Sequence, residues 1–209
     1  MSTLRSVGET AALIAALPNP GRIVVGIAGS PGAGKSTIAE QLVALLPGAA
    51  LLPMDGFHLP QRMLVELGRR DRMGAPDTFD VDGFTAVLAA LRPAFGNSGV
   101  TVRAPGFDRE IEEPVPGAIA IAPEFPMVIV EGNYLLLGDG GWERVAPLLD
   151  ATFFVGVDRD IRLSRLVTRH VRFGKSPADA RAWALGTDER NAELVEASAH
   201  AATHTITLG

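Results

Sequence analysis

Short apolar runs alternate with stretches in which apolar residues recur every three or four positions, and this alternation continues along most of the chain. The runs predict buried strands, and the recurring pattern predicts amphipathic helices. Strands are predicted at 22–28, 49–54, 127–130, 152–157 and 205–208. Helices are predicted at 5–17, 37–46, 60–68, 80–91, 158–171 and 177–201. Strands that lead into helices in this way are typical of a single α/β domain with a mostly parallel sheet.

Capping residues mark several of these boundaries. Asp80 or Asp82 is predicted to cap the helix that ends near residue 91, and Asp158 is predicted to cap the next one. Ser176-Pro177 opens the last helix, with proline at its first position. Between the helices predicted at 80–91 and 158–171, residues 100–103 alternate between apolar and polar like a strand. Residues 118–121 resemble a second strand that pairs back with them, which predicts a small antiparallel pair.

Composition and charge narrow the class of protein. A chain of 209 residues with 47% hydrophobic content can bury one core. The net charge of −5 leaves no electrostatic footprint for nucleic acid, so a small-molecule partner is expected. The absence of cysteine excludes disulfides, thiolate metal sites and a cysteine nucleophile.

The sequence contains no signal for export or membrane insertion. Residues 1–5 lack the basic and apolar regions of a signal peptide. No apolar run approaches the roughly 20 residues that span a bilayer. We therefore expect a cytoplasmic protein, and the residues leave open whether it acts alone or as a homodimer.

The segment Gly29-Ser30-Pro31-Gly32-Ala33-Gly34-Lys35-Ser36-Thr37 matches G-x-x-x-x-G-K-[ST] between a predicted strand and a predicted helix. In such a phosphate-binding loop, or P-loop, backbone amides turn inward around a polyphosphate and the helix N-terminus adds a partial positive charge. Lys35 adds a full charge, and Ser36 is placed to ligate Mg²⁺. A nucleoside triphosphate is therefore predicted to bind at Gly29, Ser30, Gly32, Ala33, Gly34, Lys35, Ser36 and Thr37.

Two carboxylates follow other predicted strands, whose carboxyl ends form the ligand-binding edge of an open α/β sheet. Asp55 is predicted to be a general base that accepts the proton of an attacking hydroxyl. The alternative is a turn aspartate before Gly56. Glu131 follows the apolar run 128–130, as in a Walker B element, and is predicted to ligate Mg²⁺ with Ser36, directly or through water. A helix-capping glutamate is the alternative.

A basic stripe marks the helix predicted at 158–171. Its arginines are spaced three, four and three residues apart, so they share one face: Arg162, Arg165, Arg169 and Arg172. A solvated face is the plain interpretation. The following Phe173-Gly174-Lys175 favours a hinged lid at about 165–178, in which Arg165 and Arg169 close over the triphosphate.

Three further side chains are candidate substrate contacts: His58, Arg109 and Tyr134. Each lies in or near a loop at the presumed cleft, and each can bond to hydroxyl groups. A structural histidine is the alternative for His58. The alternative for Arg109 is an ion pair with Glu112 or Glu113 at the surface.

Several motifs, taken in order, resemble the superfamily of uridine kinase, phosphoribulokinase and bacterial pantothenate kinase. They are the P-loop, 54–58, 74–80, 130–134 and the arginine helix. The resemblance covers residues 20–208 and is nearest to a subgroup labelled fructose transport system kinases. It implies one domain, 1–209, with a three-layer P-loop NTPase fold, a helical lid and an acceptor-side insertion at about 56–122. It also implies ATP and Mg²⁺ as cofactors, Asp55 as the base, Ser36 and Glu131 as the metal site, and Arg165 and Arg169 as lid arginines.

Two departures bear on the acceptor. Uridine kinases carry an acid two residues before the proline of the middle motif, where this chain has Gly74. Their histidine after Pro-x-Tyr is replaced here by the segment 105–109. Both differences count against uridine or cytidine as the substrate.

The sequence therefore predicts an ATP-dependent kinase that phosphorylates a hydroxyl of a small metabolite. A sugar such as fructose is suggested by the subgroup's label alone. The alternatives are a nucleoside or pantothenate-like kinase, or a regulatory ATPase without a metabolic acceptor. A guanine-binding Asn-Lys-x-Asp motif is absent, because no asparagine is followed by lysine.

Overall fold

A computed structural model of the chain describes residues 2–18, 21–92 and 99–207. Within these ranges, the strands of the main sheet are β1 Ser2–Leu4, β2 Ile23–Ala28, β3 Ala49–Pro53, β6 Met127–Gly132, β7 Ala151–Gly156 and β8 His204–Thr207. They form one parallel sheet in the order β1-β8-β7-β2-β6-β3. Leu208 of the predicted last strand lies outside the described residues.

Helices cover both faces of this sheet. They are α1 Val7–Ala15, α2 Lys35–Leu45, α3 Gln61–Glu66, α4 Val81–Leu91, α5 Arg159–Arg172, α6 Pro177–Trp183 and α7 Glu189–Ser198. Buried residues of α1 and α2 share one core with the strands, whereas buried residues of α4 and α7 belong to the other core. The predicted three-layer α/β fold is therefore confirmed.

The central strand β2 explains the continuous apolar run before the P-loop. All six of its residues are buried. Val24 and Ala28 pack into one core, while Val25 and Ile27 pack into the other. A parallel strand covered on both faces has no polar side, so the run lacks alternation.

The antiparallel pair is longer than the sequence predicts. It consists of β4 Val102–Asp108 and β5 Glu113–Ile121, with an irregular register between Ala104 and Gly106. The hairpin lies directly on the turn that follows β3, because a Cβ on Gly56 would be 2.0 Å from the Pro105 carbonyl oxygen. This contact brings the tip of the hairpin, which carries Arg109, to the carboxyl edge of the sheet.

Two boundary predictions are wrong. The helix predicted from residue 5 begins at Val7, after the Ser6 cap, and the preceding residues form β1, whose three residues are too few to show a period. The helix predicted at 177–201 is interrupted by a π-helical turn at Ala184–Asp188. The wider turn changes which side chains face inward, and a 3.6-residue period does not anticipate that change.

The predicted caps are confirmed for three helices. Asp80, not Asp82, caps α4 by accepting a hydrogen bond from the Gly83 amide at 2.8 Å. Asp158 and Ser176 cap α5 and α6 in the same way. Among the helices of the described residues, none is both long and apolar enough to cross a membrane.

Leu88→Ala tests the core beneath α4. Leu88 is fully buried, so its truncation should lower the free energy of unfolding by about 2–5 kcal/mol. The same substitution at Leu45, a half-exposed residue at the end of α2, should change it by less than about 1 kcal/mol. Urea denaturation followed by circular dichroism measures both values, and equal losses would contradict this core assignment.

Candidate active site

The P-loop is shaped by glycines and by the helix packed against it. Gly32 and Gly34 have left-handed φ angles of +81° and +97°, which favour glycine. A Cβ on Gly32 would lie 2.8 Å from the Arg162 carbonyl oxygen and 2.9 Å from Cγ of Leu166. The first half of α5 therefore rests on the loop and holds it in place.

Lys35 lies at the first position of α2 and is almost completely buried. Its Nζ donates a hydrogen bond to the Ser30 carbonyl oxygen at 3.1 Å. Burial lowers the pKa of Lys35 to about 8, while the nearby charges of Glu131 and Asp55 act in the opposite direction. A bound anion would favour the charged form of this lysine.

Glu131 lies within β6, beside Ile27 of β2, and is also buried. Its Oε1 accepts a hydrogen bond from Oγ of Ser36 at 3.2 Å. Burial, together with the charge of Asp55, raises the pKa of Glu131 to about 7, against the opposing charge of Lys35.

These two oxygen donors fit Mg²⁺. Magnesium prefers hard oxygen ligands and usually keeps several waters and phosphate oxygens, so two protein ligands suffice. The described residues contain no group of three acidic, histidine or cysteine side chains that could hold a metal by themselves. Ser36 and Glu131 would therefore hold the ion together with a polyphosphate.

Asp55 follows β3 and meets Arg109 from the hairpin. The Asp55 Oδ2 and Arg109 Nη2 atoms are 2.6 Å apart. Burial acts to raise the pKa of Asp55, but the positive charges around it, from His58 when protonated, Arg109 and Lys35, hold it below its usual value. Asp55 is thus an ionised carboxylate in the same cleft as Lys35.

His58 also lines this cleft. Its Nδ1 lies 2.9 Å from the Asp55 carbonyl oxygen, and its ring packs against Phe79 and Phe107. Burial lowers the pKa of His58. The neutral imidazole therefore offers one nitrogen to a neighbouring hydroxyl.

The four arginines of α5 have different surroundings. Arg165 donates a hydrogen bond to the Ala33 carbonyl oxygen of the P-loop at 3.3 Å, and Arg169 lines the cleft. Arg162 is buried and bound to Glu189 of α7, and Arg172 lies over the ring of Phe173. The predicted stripe thus brings Arg165 and Arg169 to the site and leaves the other two away from it.

Tyr134 does not reach the cleft, which corrects its predicted contact with substrate. It is fully buried among aromatic rings, and its hydroxyl donates a hydrogen bond to the Gly74 carbonyl oxygen. Burial raises its pKa. Through this hydrogen bond, Tyr134 therefore supports the segment around Gly74 from within the core.

The C-terminal part of the chain contributes side chains that the sequence analysis missed. The cleft is also lined by Asn133, His170, Lys175, Trp183, Asp188 and Asn191. Ser30 of the P-loop also donates a hydrogen bond to Oε1 of Glu196 in α7. A signal existed, because Asp188 and Asn191 place polar groups at i, i+3 on the face that also carries Ala192 and Val195.

Here a P-loop directly follows a parallel strand, and carboxylates lie at the ends of two neighbouring strands. This combination defines a P-loop nucleotide-binding protein. The family model "Phosphoribulokinase / Uridine kinase family" matches residues 24–176. The chain belongs to this family, and it is an ATP-dependent P-loop kinase.

Individual relatives agree with this assignment. The chain is 42% identical over 146 residues to an ATP-dependent kinase-like protein of Aspergillus versicolor, covering 67% of this chain and 85% of the relative. It is 35% identical over 180 residues to the uncharacterised protein YggC of Escherichia coli, covering 83% and 73%. A crystal structure from Silicibacter sp. TM1040, whose name proposes a fructose transport system kinase, is 35% identical with a TM-score of 0.88. That match covers 97% of this chain and 99% of the other.

Glu131→Gln tests the buried carboxyl. The pKa of Glu131 is about 7 in the folded protein, against an ordinary value of 4.5 for a glutamate carboxyl. Its contribution to stability is therefore present below about pH 4.5 and is lost as the pH rises through about 7. Between about pH 5 and pH 7.5 this group should lower the free energy of unfolding by roughly 1–3 kcal/mol, and the variant should lack that fall.

Urea denaturation at stepped pH measures this difference. Glu110→Gln, at an exposed position of the hairpin tip, serves as the matched control and should keep the wild-type pH dependence. If Glu131→Gln shows the same slope as the wild type, the raised pKa is wrong.

Proposed function

We propose that the protein transfers the γ-phosphoryl group of ATP to a hydroxyl of a small metabolite. The observation that carries this proposal is the position of Asp55, an ionised carboxylate in the cleft that also holds Lys35 and Ser36. A carboxylate across the cleft from a triphosphate site is what deprotonation of an acceptor hydroxyl requires.

Each group has a defined role in this reaction. The P-loop amides and Lys35 bind the β- and γ-phosphates. Ser36 and Glu131 would hold Mg²⁺, which would supply positive charge to the phosphate oxygens. Asp55 orients the acceptor hydroxyl and takes its proton as the oxygen attacks the γ-phosphorus. The bond from that phosphorus to the bridging oxygen breaks, and ADP leaves.

Arg109 holds Asp55 before the acceptor arrives. The ion pair keeps the carboxylate ionised and directed into the cleft, but it also occupies Oδ2. Acceptor binding therefore requires Arg109 to share or release this oxygen. The acceptor hydroxyl would then take over the hydrogen bond.

Arg165 and Arg169 of α5 would supply the remaining positive charge. The first half of α5 is fixed by its contact with Gly32 and by the Arg162–Glu189 pair. Gly174, with φ +95° and no atom of the described residues within 4 Å of an added Cβ, is suited to be the hinge for the segment that follows α5. Arg165 and Arg169 precede this hinge and already lie at the P-loop and the cleft, and closure of the segment beyond Gly174 would exclude water that would otherwise hydrolyse ATP.

A sugar such as fructose is the first acceptor to test, because the Silicibacter relative carries that name. A nucleoside or pantothenate-like acceptor is the alternative, and a pantothenate kinase of Leifsonia xyli is 35% identical over 147 residues. A regulatory ATPase would hydrolyse ATP without any acceptor.

Three further expectations stay predictions. They are a cytoplasmic location, a homodimer, and a single domain, 1–209, with a lid at 165–178 and an insertion at 56–122.

An acceptor panel tests the proposed function. ADP release is followed with neutral sugars, nucleosides, pantothenate and hydroxy acids at saturating ATP and Mg²⁺. A kinase should show ADP release that depends on one class of acceptor and yields an equimolar phosphorylated product. ADP release that ignores every acceptor would contradict a metabolic kinase.

Asp55→Asn separates chemistry from nucleotide binding. The variant keeps the size of the side chain but cannot accept a proton, so kcat should fall by about 10²–10⁴-fold. The dissociation constant for ATP, measured by isothermal titration calorimetry, should stay within about threefold of the wild type. Asp139→Asn, at an exposed position, is the control and should leave both values unchanged. Equal losses of binding and turnover in Asp55→Asn would refute its role as the base.

Lys35→Ala, unlike Asp55→Asn, should weaken ATP binding itself. Removal of a buried charge that faces the phosphates should weaken ATP binding by at least about tenfold. The same titration measures it, and an unchanged ATP affinity would contradict the P-loop assignment.

A further inference from the structure

Asn191 is a buried polar side chain without a partner. Only 4% of the residue is exposed, and its amide makes no hydrogen bond with any of the described residues. It nevertheless lines the cleft that contains Asp55. Among the described residues, the fully buried side-chain polar atoms without a partner belong to Arg162 and Thr205, so the Asn191 amide is open to the cleft, where a ligand can supply its hydrogen bonds.

A second polar group lies in the same part of the cleft. His170 Nε2 and Asp188 Oδ2 are 2.6 Å apart, with side chains 15% and 10% exposed. Asp188 ends the π-helical turn, and such turns occur frequently at functional sites. We call His170, Trp183, Asp188 and Asn191 the acceptor wall.

The acceptor wall is attached to the donor site. Glu189 binds Arg159 and Arg162 of α5, and Glu196 accepts a hydrogen bond from Ser30 of the P-loop. These two contacts lie on either side of Asn191 along the chain. The amide is therefore held in a fixed position relative to the phosphate site, as a selective contact requires.

The absence of a side chain on Gly74 leaves space beside the Asn191 amide. A Cβ on Gly74 would be 3.8 Å from Nδ2 of Asn191, which is ordinary contact distance. With only a hydrogen on Gly74, the amide is accessible from the cleft.

The charges around the cleft favour a neutral ligand. Arg70 is paired with Glu112 at 3.2 Å, and Arg109 is paired with Asp55. Lys175 lies over the ring of Trp183, with Nζ 4.7 Å from its centroid. Arg169 also lines the cleft, where it would supply positive charge to the phosphates. The other cations named here are paired with a carboxylate or lie over an aromatic ring, and Asn191 adds an uncharged amide that can donate and accept.

We propose that Asn191, supported by the His170–Asp188 pair, selects the acceptor by bonding a hydroxyl of a neutral, polyhydroxylated molecule such as a sugar or polyol. The proposal rests on the proposed function, in that the bound molecule is the phosphoryl acceptor. Asn191 would donate to and accept from hydroxyls that do not react, while Asp55 binds the one that does. A site built to bond a hydroxyl rejects ligands that leave the amide unpaired.

Binding measurements test this without requiring turnover. D-fructose, D-ribose and glycerol are titrated as sugar and polyol probes, with uridine as a nucleoside probe and pantothenate and D-glycerate as anionic probes, by ligand-observed NMR with a non-hydrolysable ATP analogue and Mg²⁺. The wild type should bind at least one sugar or polyol probe more tightly than uridine and the anionic probes, and tighter binding of uridine would overturn the proposal. Asn191→Leu should weaken that binding by at least about tenfold, as expected when one or two hydrogen bonds are lost.

Two controls make the result decisive. Affinity for the ATP analogue should stay within about twofold in Asn191→Leu, which shows that the variant is folded, and Asn191→Ser serves in its place if it is not. Gln41→Leu removes an amide from an exposed position of α2 and should leave probe binding unchanged. Unchanged binding of the sugar or polyol probe in Asn191→Leu, preference for an anionic probe, or no binding of any sugar or polyol probe would each overturn the proposal.

Transfer assays on the same samples distinguish this proposal from the proposed function. Probe binding that depends on Asn191 without any phosphorylated product would contradict the kinase reaction and leave the acceptor wall supported. Phosphorylation that is indifferent to Asn191→Leu would overturn the acceptor wall and leave the kinase reaction supported.

Discussion

The buried charge of Lys35 is the constraint on which the rest of the site depends. An ammonium group removed from water loses hydration that only nearby negative charge can replace. Here Glu131 and Asp55 supply part of that charge, yet burial still lowers the pKa of the lysine to about 8. A triphosphate would add the missing negative charge. The fold therefore maintains an electropositive position that an anionic ligand stabilises.

The cleft has a donor side centred on the P-loop and an acceptor side assembled from several elements. The P-loop has no room for a side chain at Gly32, because α5 packs against it, and Ser30 is bound by Glu196 of α7. The acceptor side is assembled from a hairpin, the turn after β3 and the C-terminal helices. Since these elements come from distant parts of the chain, the acceptor side depends on tertiary contacts, among them those that tie Glu189 to α5 and Glu196 to the P-loop.

The donor side could be predicted from the sequence because its signals are local. The P-loop lies within nine residues, and the carboxylates follow apolar strands, so the parallel sheet brings Asp55 and Glu131 to one edge. The acceptor wall has only a weak sequence signal, because the i, i+3 spacing of Asp188 and Asn191 also fits an ordinary helical pattern. Their approach to the cleft depends on a π-helical turn that no residue type specifies.

Other differences have the same origin in tertiary contacts. Tyr134 follows a strand end but turns into the core, where its hydroxyl finds the Gly74 carbonyl. Arg162 lies on the basic stripe but is buried against Glu189, a residue 27 positions away. Sequence spacing places a side chain on a face of an element; the partner that covers this face decides whether it reaches the site.

In the proposed reaction, this cleft passes a phosphoryl group to an acceptor hydroxyl. ³¹P NMR of the wild type with ATP, Mg²⁺ and the neutral sugar or polyol it binds tests whether this transfer occurs. The γ-phosphate signal should be replaced by a phosphomonoester signal in step with the appearance of ADP. Inorganic phosphate as the sole product, with the acceptor recovered unchanged, would contradict it.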